Sequence, residues 1–582
     1  MNEAYSQILR VNEYYTLSGM ELQVLEQGSK YIGGIMDEHT GIPRPNHGSS
    51  ASTLATYAAS IVNPASSYYH HIELLERLKL LAQFMLNRQH EDGTISLGST
   101  NYHSPPDTGF VINGLAQVVK LLEQDGWEML MPVRDQLLQF MERAMPAMLT
   151  GGCHTPNHRW VLASALAQLY DRFGYSALLE RAQSWLAEGL DITHDGEWTE
   201  RSNGIYNAVS DISLYHAAIL LERPELLEAV RKNLRMMQYL VYPSGEVITD
   251  YSGRQDFGVT SDLSSYYPIC ALMAVTDQDP HFAAMSDLAA SCISDPGSVN
   301  NHYMLTRLLH PELDLVGMVR KPLPDSYHVV LNQQYPLATN LARASTTGYN
   351  SILHSSDHPA FGAPVVRIRE GQTSITIMSH TPSFLALRHG QARLLGMKLT
   401  TAFTPGIVMF DEFTPTEGGY ILRKVMEKGY NGPIPSELLP LTTDYGKETS
   451  PWSLLPHQHR PLTHLQRHWL QANVQVEANG WSIRLQSSEE EDLFTQFTLI
   501  FGEEGELSGE CIEEFQQDQF FWKEGTALYT HGKDQIRISS GAFEHRLTVL
   551  RNDIQPSRGK LLVMNLLTPV DITLHLELLS TH

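Results

Sequence analysis

The stretch GGCHTPNHRW, Gly151 to Trp160, crowds His154, Asn157, His158, Arg159 and Trp160 into one short loop. The run that follows, VLASALAQLY, reads as a buried helix. A plain connection between helices needs only a turn and a cap, which Gly151-Gly152 and Thr155-Pro156 or Asn157 can supply. The imidazoles, the guanidinium and the indole are surplus to that need. Three more loop-to-helix junctions are similarly rich: STNYHSPPDTGF with Asn101, His103 and Asp107, DGEWTERSNGIYNAVSD with Trp198, Arg201, Asn203 and Tyr206, and TDYSGRQDFG with Asp250, Tyr251 and Arg254.

Several chemistries compete for such a set. Glycoside hydrolysis needs two carboxylates flanking the bond, and Asp107, Glu197, Glu200, Asp211 and Asp250 can furnish a pair. Asp107, after Pro-Pro, also reads as a plain helix cap. Neither HExxH nor GxSxG occurs, which removes the zinc-protease and serine-elbow patterns. β-Elimination from a uronic acid needs an amide and an imidazole on the sugar carboxylate, to stabilise the enolate-like intermediate as charge develops. It also needs a proton carrier near both C5 and the leaving oxygen. Asn157, His158 and Tyr206 are the side chains that reaction asks for. Arg159, Arg201 and Arg254 are candidate anion contacts, because a guanidinium fork suits planar anions. Trp160, Trp198 and Tyr251 are candidate sugar-stacking platforms, and Asn101, His103 and Asn203 candidate polar contacts.

These loops need elements to hold them. As far as about residue 310 the apolar residues recur at helical spacing, for example in HIELLERLKLLAQFMLNRQ (71–89) and GFVINGLAQVVKLLEQ (109–124). Turn signals at Gly93, Gly151-Gly152, Gly196 and Gly245 leave room for two helices between successive turns. Repeating hairpins that cannot bury a face alone must stack on one another. A ring, an α/α toroid, is expected over 1–320, with a straight solenoid as the alternative. In a ring the inner helices all start at one face, so the polar loops converge. After about residue 325 the pattern turns to short β-branched alternations broken by Gly, Pro, Asn and Asp. That predicts an antiparallel β-sandwich over 326–582, after a linker within 310–326. The Pro-rich stretch 430–465 reads as an extended loop.

The 582 residues carry a net charge of −24, which argues against nucleic acid as a partner. Four scattered cysteines, Cys153, Cys270, Cys292 and Cys511, imply neither disulfides nor a zinc knuckle. No apolar run is long enough for a membrane span, and the N-terminus has no signal-peptide pattern, so a cytoplasmic protein is expected.

DGEWTERSNGIYNAVS resembles the DG…E-x-S…Y pattern that carries the catalytic tyrosine of heparinase II/III-like polysaccharide lyases. PNHRW resembles the Asn-His element that precedes it in the heparinase and oligoalginate lyase branches. The resemblance implies that Asn157 and His158 neutralise a uronate carboxylate and that Tyr206 acts as base and acid. It also implies a histidine from the early β-domain, best matched by His358, then His354, His380 and His389. Asn207 stands where the family often has histidine, and the family's H-x-H-x-D motif is missing, so no structural metal is supported in the β-domain. No cofactor is required. The expected function is a lyase cleaving a uronate-containing, anionic oligo- or polysaccharide. A toroid glycoside hydrolase using an acidic pair such as Asp107 with Asp211, and a non-catalytic carbohydrate-binding protein relying on its tryptophans, are the alternatives.

Overall fold

The computed structural model describes residues 3–242, 244–334, 360–439, 452–489, 492–554, 556 and 559–580. It divides into two compact units, residues 1–363 and 364–582.

The first unit contains twelve α-helices among the described residues: α1 (Glu3–Leu22), α2 (Ser50–Val62), α3 (Ile72–Arg88), α4 (Pro105–Asp125), α5 (Met131–Thr150), α6 (Pro156–Phe173), α7 (Ser176–Leu186), α8 (Tyr206–Leu220), α9 (Leu227–Met237), α10 (Tyr267–Asp277), α11 (Pro280–Ser291) and α12 (Tyr303–Leu309). From α2 onward each even-numbered helix packs on the next even one, and α12 returns to α2 and α1. The hairpins therefore stack into a toroid, and the straight solenoid is excluded because the last helices pack on the first. Burial separates the two layers. Every residue of α2 except Thr53 is buried, whereas α7 buries only Leu178, Ala182 and Leu186. A helix apolar all round belongs inside, and one with a single stripe belongs outside. Ring closure is tight: a Cβ on Gly114 of α4 would lie 2.3 Å from the Val299 carbonyl.

The repeat is visible in the backbone. Ahead of α4, His90 N–H donates to Thr94 O (2.8 Å) and Gly93 N–H to His90 O (3.0 Å). The same turn recurs ahead of α8, Thr193 to Glu197 (2.9 Å) with Gly196 to Thr193 (3.2 Å), and again from Tyr242 to Glu246 (2.7 Å). Gly93 and Gly196 have φ of 83° and 104°, which L side chains disfavour. A Cβ there would come within 2.1 Å of Arg143 O on α5 and 2.3 Å of Lys232 O on α9. These glycines let each loop lie flat on the following outer helix. Gly151 is different: it ends α5 directly at φ −68°. The helical unit also holds one short ladder, Glu246–Val247 with Ser261–Asp262, which helical periodicity did not suggest. The strand Ser326–Leu331 stays with this unit through Tyr327, whose hydroxyl donates to Tyr239 O (3.0 Å).

The second unit is the expected β-sandwich. One sheet runs, in spatial order, Glu506–Gly509, Thr526–His531, Asp534–Ser539, Asp571–Ser580, Gly480–Ser487, Leu462–Glu477, Gly419–Asn431 and Glu412–Thr416. The other runs Ile512–Gln516, Gln519–Trp522, Lys560–Leu567, Phe494–Phe501, Ala392–Thr401, Leu385–His389, Thr373–Met378 and Val365–Glu370. Alternate residues such as Leu470, Ala472 and Val474, or Phe497, Leu499 and Phe501, point into the core. Tyr529 of the first sheet stacks on Phe501 of the second at 4.8 Å. One pair, Gln519–Trp522 with Lys560–Leu567, is parallel rather than antiparallel. Of the 430–465 stretch, both ends belong to strands, and 440–451 lies outside the described residues.

Candidate functional site

Helix α6 opens with Pro156 at its first position, and Thr155 makes no side-chain cap. The cap comes from the next repeat instead. Glu200 Oε2 accepts the Asn157 backbone N–H (3.2 Å) and the Asn157 side-chain amide (2.7 Å). A carboxylate suits a helix N-terminus, where unpaired N–H groups and the dipole favour negative charge. Its other oxygen is ion-paired to Arg254. The Arg254 guanidinium lies 4.4 Å over the ring of Tyr206, the first residue of α8, and the Tyr206 hydroxyl accepts a hydrogen bond from the Gln255 amide. Asn157 and Tyr206 thus meet through one Glu200–Arg254 pair.

The loops are pinned behind this pair. Asp256 accepts from Ser202 Oγ (2.9 Å), Ser252 Oγ and Gly204 N (3.0 Å), tying 202–204 to 252–256. Ser202 Oγ in turn accepts the Tyr206 N–H (3.2 Å). Asn203 donates to Ile248 O (2.9 Å) and accepts from Asn207 (3.0 Å).

Burial sets the charges. It pushes the Glu200 carboxyl up to about 7, against the pull of Arg254 and of the Asn157 hydrogen bonds. It pushes His158 down to about 3, helped by repulsion from His154, Arg254 and His47, so the imidazole is neutral. Tyr206 is raised above the usual phenol value by burial, with Arg254 acting in the opposite direction. The Asn157 Oδ1 and the His158 Nδ1 are buried and have no hydrogen-bond partner among the described residues.

Other expected contacts stand elsewhere. Trp160 and Trp198 are 1% and 3% exposed and pack on one another at 6.2 Å, so neither indole offers a face to a sugar. Tyr251 is equally buried, beneath the Arg201 guanidinium (4.6 Å). Arg201 is itself buried and paired with Glu197 (3.2 Å). Arg159 is held by Asp191 (2.7 Å) and Glu188 (3.3 Å) and lies over Trp160. All three arginines expected to bind anions are therefore compensated by carboxylates, and only Arg254 touches the Asn157–Tyr206 cluster. Asn101 donates to Asp107 (2.9 Å). His103 is exposed, stacked on His90 (3.8 Å) and bonded to Asp92 (2.9 Å). The cap of α4 is Ser104, not Asp107. Asp211, the other half of the hydrolytic pair, is fully buried; it accepts from the Trp198 indole (3.0 Å), and burial raises its pKa strongly. That leaves it no face for a substrate.

His358 and His354 lie outside the described residues. In the second unit, His389 bonds Thr373 (2.8 Å) and Ser580 (3.1 Å), and His380 sits at a left-handed turn with φ 60°. Among the described residues no group of three or more His, Cys, Asp or Glu is placed to hold a metal, and no helix is long and apolar enough to cross a membrane. Sequence reasoning missed Gln255, Asp256 and His47, and it weighed Glu200 only as a hydrolytic acid. Glu200 sits in the quoted DGEWTERS, but its partner Asn157 lies on the preceding repeat, a pairing that local spacing does not reveal.

No family model and no curated protein matches the chain. Among solved structures it is similar to heparinase III, at 10% identity and TM-score 0.54 over 99% of this chain and 85% of that one. It is also similar to a Paenibacillus xanthan lyase, at 9% identity and TM-score 0.53 over the full length of this chain but 57% of that one, little more than half. At such identities the likeness concerns fold. The chain has the heparinase-type, polysaccharide-lyase-like fold, an α/α toroid followed by a β-sandwich.

Proposed function

We propose that the protein is a lyase that cleaves a uronate-containing glycan by β-elimination at the Asn157–Glu200–Arg254–Tyr206 cluster. The observation that carries this reading is the convergence of the Asn157 amide and the Tyr206 phenol on one Glu200–Arg254 pair. The Asn157 amide, at the head of α6, is 1% exposed and donates to Glu200, so its part in the reaction requires that an amide hydrogen turn from that carboxylate to the sugar carboxylate, where it stabilises the enolate-like intermediate. Tyr206, as phenolate held by Arg254 and Gln255, takes the C5 proton; the C4–O bond breaks as the C4–C5 double bond forms, and the same proton passes to the leaving oxygen. His158, being neutral, contributes a hydrogen bond rather than a charge. His358 remains a proposed further partner on the resemblance. The substrate is an anionic glycan, which enters a strongly acidic protein against an overall repulsive field.

Product analysis tests the reading. Incubation with uronate oligosaccharides is expected to yield ultraviolet-absorbing unsaturated ends; saturated reducing sugars alone would show hydrolysis instead. Asn157→Ala is expected to lower kcat by about 10²–10³-fold, the usual cost of removing one donor to a developing anion. A loss confined to KM would contradict its role in the transition state.

Glu200 adds a pH signature. Below about 7 its carboxyl is protonated, and it ceases to be an anionic partner for Arg254 and Asn157. The wild-type kcat/KM is therefore expected to rise as pH passes through about 7, and to keep rising at alkaline pH as Tyr206 ionises. In Glu200→Gln the limb near 7 should disappear while the alkaline rise stays. An unchanged profile from pH 5 to 9 would remove Glu200 from the site.

A further inference from the structure

A second Pro-Asn-His element, Pro45-Asn46-His47, stands ahead of α2 as Pro156-Asn157-His158 opens α6. Its backbone is fixed: Asn46 Oδ1 accepts Gly48 N–H (3.2 Å), and His47 O accepts Val299 N–H (3.0 Å). The His47 ring stacks on Phe110 of α4 at 4.7 Å, and the edge of Phe110 meets His158 at 6.1 Å. Both imidazoles thus contact one phenyl ring and lie no further apart than these two separations combined.

The hydrogen-bonding state of both rings is unusual. Each Nδ1 is buried without a partner among the described residues, while the His47 residue as a whole is half-buried and His158 is 7% exposed. A buried, unmet imidazole nitrogen is costly, so packing alone would be better served by an apolar side chain. With Nδ1 shut in, Nε2 is the atom left to meet a ligand, and it donates in the tautomer that carries the proton there. Burial keeps His47 neutral, although Asp107 acts the other way. The groups acting on this wall are Asp107 beside His47, with His154 and Arg254 beside His158. Arg254 is already paired with Glu200. A neutral donor beside a carboxylate repels a sulfate or second uronate and suits a hydroxyl or an acetamido oxygen.

We propose that His47 is a specificity-determining residue, its Nε2–H donating to an uncharged oxygen of the sugar adjoining the uronate on the α2–α4 side of the site. This rests on the lyase reading. The step is binding only, and no bond to carbon changes at His47.

The test uses the full chain and three unsulfated tetrasaccharides: glucuronate alternating with N-acetylglucosamine, glucuronate alternating with N-acetylgalactosamine, and oligomannuronate. The better of the two N-acetylhexosamine-containing saccharides is carried forward, and a wild type that prefers oligomannuronate, in which the adjoining sugar is itself a uronate, overturns the proposal. His47→Phe keeps the ring stack and deletes the donor, so KM is expected to rise about tenfold with little change in kcat, as for loss of one hydrogen bond to a neutral group. His47→Gln places an amide N–H near the same point and should recover most of that loss. Adding the same saccharide to Tyr206→Phe, which is expected to bind it with little turnover, should shift the His47 Nε2–H resonance. An unchanged KM in His47→Phe, equal losses in both variants, or an unmoved resonance overturns the proposal. If wild type forms unsaturated product and His47→Phe is unimpaired, His47 falls and the lyase reading stands. If the resonance moves but no unsaturated product forms, the lyase reading falls and the binding role stands. Failure of all three saccharides to bind wild type overturns both.

Discussion

Tyr206→Phe is expected to lower kcat by about 10²–10⁴-fold while leaving substrate affinity nearly unchanged, because proton transfer by a positioned side chain contributes about that much. The variant removes one oxygen and keeps the ring on which the Arg254 guanidinium rests at 4.4 Å, so the Glu200–Arg254 pair and the cap of α6 stay in place. What disappears is the group that accepts the C5 proton and returns it to the leaving oxygen. Single-turnover kinetics against equilibrium binding of a tetrasaccharide separates the two quantities. A variant with near-wild-type kcat would end the assignment, as would one that lost only affinity. Arg254→Met should raise the Tyr206 pKa further, since Arg254 is the charge that lowers it, and so move the alkaline limb of the rate profile upward.

The parts of this architecture that were legible in the sequence are those set by local chemistry. Gly93, Gly196 and Gly245 mark turns because positive φ at close approach needs glycine, and their spacing delivers the hairpin repeat. Tyr206 and Asn157 were visible because each stands at a loop-to-helix junction whose polar residues exceed what a turn and a cap need. The side chains that misled belong to non-local pairing. Trp160 and Trp198, in loops rich in polar residues, read as exposed platforms, yet they fill the space between helix heads, with Asp211 satisfying the Trp198 indole. Arg159 and Arg201 read as anion contacts because nothing in a linear sequence shows that Asp191 and Glu197 fold against them. The Glu200 cap reaches back across a whole repeat, and His47 took its meaning only when Phe110 was seen to contact both it and His158.

Arg201→Met is expected to destabilise the helical unit by about 3–5 kcal/mol, the cost of stranding one partner of a buried ion pair. Both Arg201 and Glu197 are 1% exposed. Glu197 accepts from Arg201 Nε (3.2 Å) and Gly362 N (2.8 Å), so it is anchored and cannot turn to water. Burial already raises the Glu197 pKa, and the charge of Arg201 is the main influence holding it down. Without that charge the folded-state pKa climbs further above the unfolded value. A raised carboxyl pKa leaves stability intact at acid pH and removes it as pH rises through the folded value, so the penalty should be larger at pH 8 than at pH 5. Urea unfolding followed by the helical circular dichroism signal reports on this unit, because the α-helices of the described residues all lie in it. The double variant Glu197→Gln, Arg201→Met should recover much of the loss, since replacing both charges strands neither. The same loop presents Glu200 and Tyr206, so the single variant should also lose activity below its unfolding transition. A penalty under about 1 kcal/mol, or one independent of pH, would mean that the pair is not what holds the loop, and that the Asp256 hydrogen bonds to Ser202 and Gly204 hold it alone.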